Sequence, residues 1–134
     1  MNELAVKFQL LNFFAHMAHN VSYGATFPQD HAFFADIYDK ADDHYDSTVE
    51  RMIGLGFNPN IQQIVAEASN RFKPMKAADN DEMFQQIVSQ INAINIGLGA
   101  ICKAGDITEG TRQMFGSMAD EWEVVKYKLK QRLK

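Results

Sequence analysis

The segment from Asp30 to Arg51 constrains the fold of this chain more than any other. Its sequence, DHAFFADIYDKADDHYDSTVER, carries two His, six Asp and one Glu. The apolar residues interleaved with them include Phe33, Phe34, Ile37, Tyr38 and Val49. The acidic residues predict a solvated surface, whereas the aromatic residues predict burial. A helix meets both demands, because it can bury one stripe while it presents carboxylates and imidazoles on another face.

Composition limits the classes of protein to which the chain can belong. Its 134 residues predict one domain, residues 1–134, with a substantial core. The net charge of −4 argues against a surface built throughout for nucleic acid. The single Cys102 excludes an internal disulfide and fits a reducing compartment, so we expect a cytoplasmic protein. No apolar run approaches the roughly 18 residues of a membrane span, so we expect no membrane partner.

Apolar residues at every third or fourth position predict four long helices and one short helix. The long helices are predicted at about residues 3–21, 28–53, 79–104 and from 106 onward, with the short one at 61–69. Asp79 and Asp106 each precede a Glu by three residues, a pattern typical of a helix start. Gly97 and Gly99 lie inside the third long helix and predict the close approach of another backbone.

The predicted elements indicate an all-α fold. No segment predicts a strand, and the expected architecture is a four-helix bundle with a short extra helix between the second and third long helices. That connection crosses the length of the bundle if the long helices run up, down, down, up.

A helical bundle with inward carboxylates and imidazoles is a known scaffold for transition metals, iron in particular. The candidate ligands are His16, His19, His31, Asp36, Asp39, Asp42, Asp43, His44, Asp46 and Glu50. Asp46 and Glu50 lie one turn apart on one helix face, where they can chelate or bridge a metal. Acidic pairs of this spacing are also common on solvated helix faces.

The candidate ligands of the second helix cannot all reach one ion. His31 precedes Asp46 by 15 residues, or about 22 Å along a helix axis. Metal bonds are about 2 Å long, so His31 and Glu50 of one chain cannot meet. Either there are two sites, or an antiparallel second copy brings its Asp46 and Glu50 to His31. Two-fold pairing would make two equivalent sites per dimer.

These residues resemble a pattern of the Dps family of miniferritins (DNA-protecting proteins from starved cells), within the ferritin-like superfamily. In that family a His on the first helix is followed by a His at the start of the second helix, and later by an Asp and a Glu one turn apart and an Arg. The matching residues here are His19, His31, Asp46, Glu50 and Arg51. The Gly54-Leu-Gly56 segment, the short helix and the Ala104-Gly105-Asp106 turn extend the resemblance over nearly the whole chain.

One ligand position departs from the family pattern. The family's Asp four residues after the second His is Ala35 here, and Asp36 follows it. Asp36 is about 100° round the helix, so it reaches the site only if the helix is shifted or bulged. The resemblance implies that His19, His31, Asp46 and Glu50 are catalytic, and that these four with Asp36 bind metal.

The resemblance also implies an assembly and an activity. The assembly is a hollow dodecamer of antiparallel two-fold dimers, with iron sites at the two-fold interfaces. The activity is that of a ferroxidase, which oxidises Fe(II), preferentially with hydrogen peroxide, and stores ferric mineral. Ala35 motivates an alternative, a Dps-like shell with a degenerate centre that acts as a structural or DNA-protecting particle. A third hypothesis is an unrelated helical interaction protein without metal or shell.

Other motifs have simpler interpretations. His16 and His44 match no family ligand and are expected to be ordinary polar residues, while Trp122 and Tyr127 are expected to pack. Residues 126–134 carry five basic residues. They complement the negative end of the last helix dipole, or they form a weak DNA-binding patch repeated in an assembly.

Overall fold

The computed structural model describes residues 1–76 and 78–134, and these residues form five α-helices and no strand. The helices are α1 (Asn2–Val21), α2 (Phe27–Gly54), α3 (Ile61–Arg71), α4 (Asn80–Lys103) and α5 (Glu109–Arg132). The predicted all-α fold is thereby confirmed, including the short helix between the second and third long ones.

Contacts at one end of the bundle fix the directions of the long helices. Tyr23, just after α1, exchanges hydrogen bonds of 3.2 and 2.9 Å with Asn80 at the start of α4. Asn80 also donates to Asp30 in the first turn of α2, and Asp30 binds Arg132 at the end of α5. The long helices therefore run up, down, down, up, and α3 lies in the connection that crosses the bundle.

The core is built from the predicted apolar stripes. Its largest fully buried side chains are Trp122, Phe8, Phe34, Phe84, Phe115, Leu11, Ile37, Met83, Ile87, Ile91, Ile94 and Leu98. A second cluster joins Ile64 and Ala68 of α3 to Ala5 and Val6 of α1. The packing role expected for Trp122 is confirmed, whereas that expected for Tyr127 is wrong, because its side chain is 63% exposed.

Two helix starts were predicted from similar patterns, with different outcomes. Asp79 caps α4, and its carboxylate accepts a 2.8 Å hydrogen bond from the backbone N–H of Glu82. The prediction for Asp106 is wrong, because Thr108 caps α5 and accepts from the N–H of Thr111 at 3.2 Å. Thr108 has extended backbone directly before the first helical residue, and its hydroxyl can satisfy a free N–H as a carboxylate can.

Among the described residues of one chain, the backbone contact expected at the glycines of α4 does not occur. A Cβ at Gly97 would meet only the ends of two α1 side chains, Lys7 Nζ at 3.7 Å and Leu4 Cδ1 at 3.8 Å. Apart from its own helix turn, such a Cβ at Gly99 would meet no atom of the described residues within 4 Å. Gly97 is thus covered by two side chains, and Gly99 is open.

Asp30 is the buried acid on which the helix ends converge. Its side chain is 1% exposed and accepts from Arg132 Nε and Nη2 at 2.8 and 2.7 Å. Thr26 Oγ1 donates at 2.7 Å and Asn80 Nδ2 at 2.9 Å. Burial by itself would raise the pKa of Asp30, but the hydrogen bonds from Arg132, Thr26 and Asn80 outweigh it and lower that pKa.

A polar chain, buried at Trp122 and His44 and half-exposed at Glu121 and Lys40, links the middle of α2 to α5. The Trp122 indole N–H donates to His44 Nδ1 at 2.8 Å, and His44 Nε2 lies 3.1 Å from Glu121 Oε2. Lys40 Nζ binds the other Glu121 oxygen at 3.0 Å. An indole N–H can only donate, so Nδ1 of His44 is the acceptor. Neutral His44 therefore carries its proton on Nε2 and donates a hydrogen bond to Glu121. His44 is therefore a buried member of a network, not an ordinary polar residue of the helix surface as predicted.

The Asp30 cluster leads to a first testable expectation. Arg132→Met would leave Asp30 buried without its counter-charge, and such a loss costs about 3–5 kcal/mol of the free energy of unfolding. Urea denaturation measures it. The exposed Lys130 lies in the same turn, and Lys130→Met should stay within about 0.5 kcal/mol of the unchanged protein. Equal stabilities of the two variants would contradict the role assigned to Asp30.

The His44 network leads to a second expectation, on pH. Burial lowers the pKa of His44 more than the nearby Glu121 raises it. As the pH falls below the ordinary histidine pKa of about 6.5, the unfolded chain therefore takes up a proton before folded His44 does. This contribution to stability is complete above that pH and is lost below it.

The comparison that isolates this effect is with His44→Gln, since all other titratable groups are shared. We expect the unchanged protein to lose more free energy of unfolding than the variant as the pH is lowered from about 7 to about 5. Denaturation curves at each pH provide the measurement. Equal losses in the two proteins would show that His44 does not titrate differently on folding.

Candidate metal centre

His19, near the end of α1, and His31, in the second turn of α2, face each other across the first helix pair. Their rings are stacked, with centroids 3.6 Å apart and 20° between the planes. Each Nδ1 lies 2.8 Å from the backbone carbonyl oxygen of the other residue. The short connection between antiparallel helices thus brings together the two histidines that the sequence analysis assigned to one site.

These hydrogen bonds set the proton positions of both rings. A carbonyl oxygen can only accept, so each Nδ1 carries a proton and donates it. In the neutral imidazole the other nitrogen, Nε2, then holds a free lone pair. This is the tautomer in which a histidine binds a metal through Nε2 while a carbonyl fixes its ring. The donor chemistry of His19 and His31 therefore fits metal ligation.

Other rings and a hydroxyl surround the histidine pair. Phe27 stacks on His31 with centroids 4.7 Å apart, and Tyr38 meets His19 edge-on at 5.4 Å. His16 is exposed and stacks on the outer side of Tyr38 at 4.4 Å. Ser22 Oγ donates to the same His19 carbonyl at 3.0 Å. The two imidazoles are thus held on rigid helices by backbone and aromatic contacts.

The predicted carboxylate ligands lie elsewhere on the chain. Asp46 and Glu50 follow His31 by 15 and 19 residues on the same helix, and both are exposed. Glu50 borders a shallow pocket with Ser47, Arg51 and Met114. Within residues 1–76 and 78–134, no three His, Cys, Asp or Glu side chains lie close enough to hold an ion. One chain therefore offers an imidazole pair near one end of α2 and a carboxylate pair near the other.

The middle of α2 has a strongly acidic face. Burial raises the pKa of Asp42, and the charges of Asp46, Asp43 and Asp39 raise it further. Like charges raise a carboxyl pKa because they disfavour a further negative charge. Such a concentration of acids attracts cations to this side of the helix.

Asp36 remains outside the histidine pair. Helix α2 is regular from Phe27 to Gly54, so the local bulge that would bring Asp36 toward His31 does not occur in this chain. Asp36 is exposed, and half-buried Ala35 occupies the position one turn after His31. The ligand role predicted for Asp36 stays a prediction, with no geometric support from α2.

The basic C-terminal run is only partly free for other partners. Arg132 is held by Asp30, by Asp81 at 2.9 Å and by the Phe84 ring, whose centroid lies 5.2 Å from the guanidinium carbon. Lys128, Lys130 and Lys134 are exposed.

The role of Asp30, which adjoins His31 and anchors the turn that carries it, was not predicted from the sequence. The signal was too weak to find, because a conventional helix-start Asp and an Arg about a hundred residues later show no pattern.

Comparisons with known proteins identify the family of the chain. The family model for the ferritin-like domain matches residues 2–134. No curated protein sequence matches the chain. No helix in the described part of the chain combines the length and apolarity needed to cross a membrane.

Solved structures of Dps proteins superpose on nearly the whole chain. Dps from Staphylococcus aureus matches with a TM-score of 0.88 and 20% identity, over 99% of this chain and 91% of that one. Dps from Microbacterium arborescens in the high iron form gives 0.86 and 21%, over 98% and 88%. Dps from Thermosynechococcus elongatus gives 0.84 and 17%, over 98% and 85%. The chain therefore belongs to the ferritin-like family, and its fold is that of the Dps proteins.

Proposed function

We propose that this protein oxidises Fe(II) at centres shared between two copies of the chain and stores the iron as ferric mineral. His19 and His31 of one copy meet Asp46 and Glu50 of an antiparallel second copy, and each two-fold dimer holds two such centres. Six dimers form a dodecameric shell. The cytoplasm is the compartment that this proposal implies.

The single observation that carries the proposal is the His19/His31 pair. Both rings are fixed in the tautomer that leaves Nε2 free for a metal, and a lone polar pair on a surface would need no such fixation. The acids that would complete a site lie about 22 to 28 Å away along α2 of the same chain. An antiparallel second copy would account for both the imidazole pair and the distant acids. Its α2 runs in the opposite direction, which brings its Asp46 and Glu50 to the imidazoles.

The donor set suits iron as a substrate. Carboxylate and imidazole ligands accept both Fe(II) and Fe(III), and unfilled coordination positions admit an oxidant. Two Fe(II) ions supply the two electrons that reduce one hydrogen peroxide, with two protons, to two waters. The acidic face of α2 supports this use, since it draws cations toward the dimer. The solved high iron form of the Microbacterium arborescens Dps supports iron as the cargo of this fold.

Iron oxidation provides a third testable expectation. Purified protein is mixed with Fe(II) and hydrogen peroxide, and ferric absorbance is followed against a protein-free control. We expect the protein to accelerate Fe(II) oxidation over the protein-free control. The rate should fall at least about tenfold in His31→Ala and in Glu50→Ala, since each substitution removes a ligand. His16→Ala on α1 and Glu123→Gln on α5 change exposed residues outside the centre and should retain the rate. No acceleration, with a monomer on size exclusion, would refute the proposal.

A fourth expectation tests whether the centre is shared between copies. When His31→Ala and Glu50→Ala chains are co-expressed, half of the dimers are mixed, and each mixed dimer has one centre with both residues intact. Because one of the two centres is intact in half of the dimers, we expect roughly a quarter of the wild-type activity. A centre contained within one chain would remain inactive in every mixture, so the absence of recovery in co-assembled shells would contradict the two-fold arrangement.

The alternative function is a Dps-like shell without working ferroxidase centres, which serves as a structural or DNA-protecting particle. Ala35 favours it, because a carboxylate is missing one turn after His31. The exposed Lys128, Lys130 and Lys134 would supply weak contacts to DNA phosphates, repeated around the shell. This alternative requires that His31→Ala and Glu50→Ala change nothing in the oxidation assay, while size exclusion still shows the large assembly.

A further inference from the structure

Helix α4 presents an exposed face without any charged residue. No Asp, Glu, Lys or Arg occurs between Glu82 and Lys103, whereas α2 and α5 carry charged residues in most of their turns. The face consists of exposed residues three or four apart, which share one side of the helix: Gln85, Ser89, Asn92, Ala93, Ile96 and Ala100. Ile96 is 74% exposed, more than any other large apolar side chain of the described residues.

The residues around Ile96 leave room for a second helix. Ala93 and Ala100 flank it with short side chains, and a Cβ at Gly99 would meet nothing beyond its own helix turn within 4 Å. A single exposed isoleucine is ordinary on a protein surface. Here it projects from a strip of small and uncharged residues about four turns long, which permits the close approach of another backbone. The approach that Gly97 and Gly99 predicted, and that one chain does not supply, would then come from another molecule.

The surface best matched to this face is the same face of a second copy. A charged surface such as that of α2 or α5 would lose hydration against it without gaining an opposite charge. Two α4 faces can instead pair the amides and hydroxyls of their Gln, Asn and Ser residues, beside the apolar contact of Ile96. A two-fold axis brings the two faces together, because it places the same surface on both sides of a contact.

The bounds of α4 favour one antiparallel register. If Ile96 lies over Ala93 of the second copy, the two helices overlap along residues 86–103, which leaves out the acids of the first turn. If Ile96 lies over Ala100 instead, the overlap shrinks to residues 93–103. The longer overlap removes more apolar surface from water and is therefore favoured.

We propose that α4 is a contact surface for a second copy of this chain, in an antiparallel two-fold pair centred between residues 94 and 95. The contact is separate from pairing through α2, because α4 packs against α1 and α5 and lies diagonally opposite α2 in the bundle. A copy can use both surfaces at once, and two different two-fold contacts join pairs into larger assemblies. The α4 contact requires neither iron nor the proposed centre.

The expected strength of this contact follows from its size. One helix pair buries little area next to the roughly 1,200 Å² of a stable interface, so a single α4 contact should be weak. Assemblies that present it several times should associate much more tightly.

Sedimentation velocity over a range of protein concentrations tests the contact. We expect larger species as the concentration rises, and about 0.5 M NaCl should not weaken their formation, because no charge takes part. Ile96→Glu should weaken it at least about tenfold, since the two-fold pair then gains two like charges beside apolar surface. Val124→Glu is the matched control: Val124 is also apolar and exposed but lies on α5, and this variant should associate as the unchanged protein does.

Disulfide formation tests the register, in a Cys102→Ser background. Chains with Ala93→Cys and chains with Ile96→Cys are mixed and oxidised with glutathione disulfide. Facing positions lie within the Cα separation that a disulfide requires, so the mixture should cross-link several times faster than either variant alone. The inference is overturned by equal cross-linking in the three samples, or by an unchanged protein that does not associate. It is also overturned if Ile96→Glu has no effect or if Val124→Glu weakens association equally.

Discussion

The buried ion pair between Asp30 and Arg132 holds one end of the bundle together. Through it and Asn80, the end of α1, the starts of α2 and α4 and the end of α5 meet within a few ångströms. A buried carboxylate is tolerated there because four hydrogen bonds from three residues compensate for its lost hydration. The turn that carries His31 begins at this cluster, so the position of the imidazole pair depends on contacts from the far end of the sequence.

Much of the fold follows from local patterns. The period of the apolar residues gave five helices whose ends lie within a few residues of those observed, because burial of one stripe decides where a helix can exist. The spacing of His19 and His31 also sufficed to bring them together, since a short connection forces two helices to be antiparallel neighbours. The resemblance to Dps proteins is the source of the hypotheses about assembly and chemistry, which no local pattern contains.

What the sequence did not reveal depends on partners that are distant along the chain. Thr108 and Asp106 are both acceptable caps, and only the path of the turn before α5 selects Thr108. From its neighbours in sequence, His44 was expected to be a polar residue of an acidic helix. In the fold it contacts Trp122 and Glu121 of α5, which lie almost 80 residues later. The single chain leaves the role of Asp46 and Glu50 open, because under the proposed function the histidines that they would meet belong to another copy.

The positions of the candidate metal ligands along α2 bear on when a copy of the chain can act on iron. A single copy holds the His19/His31 pair beside the start of α2 and the Asp46/Glu50 pair near its end, about 22 to 28 Å away along the helix. Under the proposed function, a single copy does not oxidise iron until it pairs with a second copy. Under that proposal, the iron oxidation that the protein catalyses begins only when two copies have paired, and it ends when the pair dissociates.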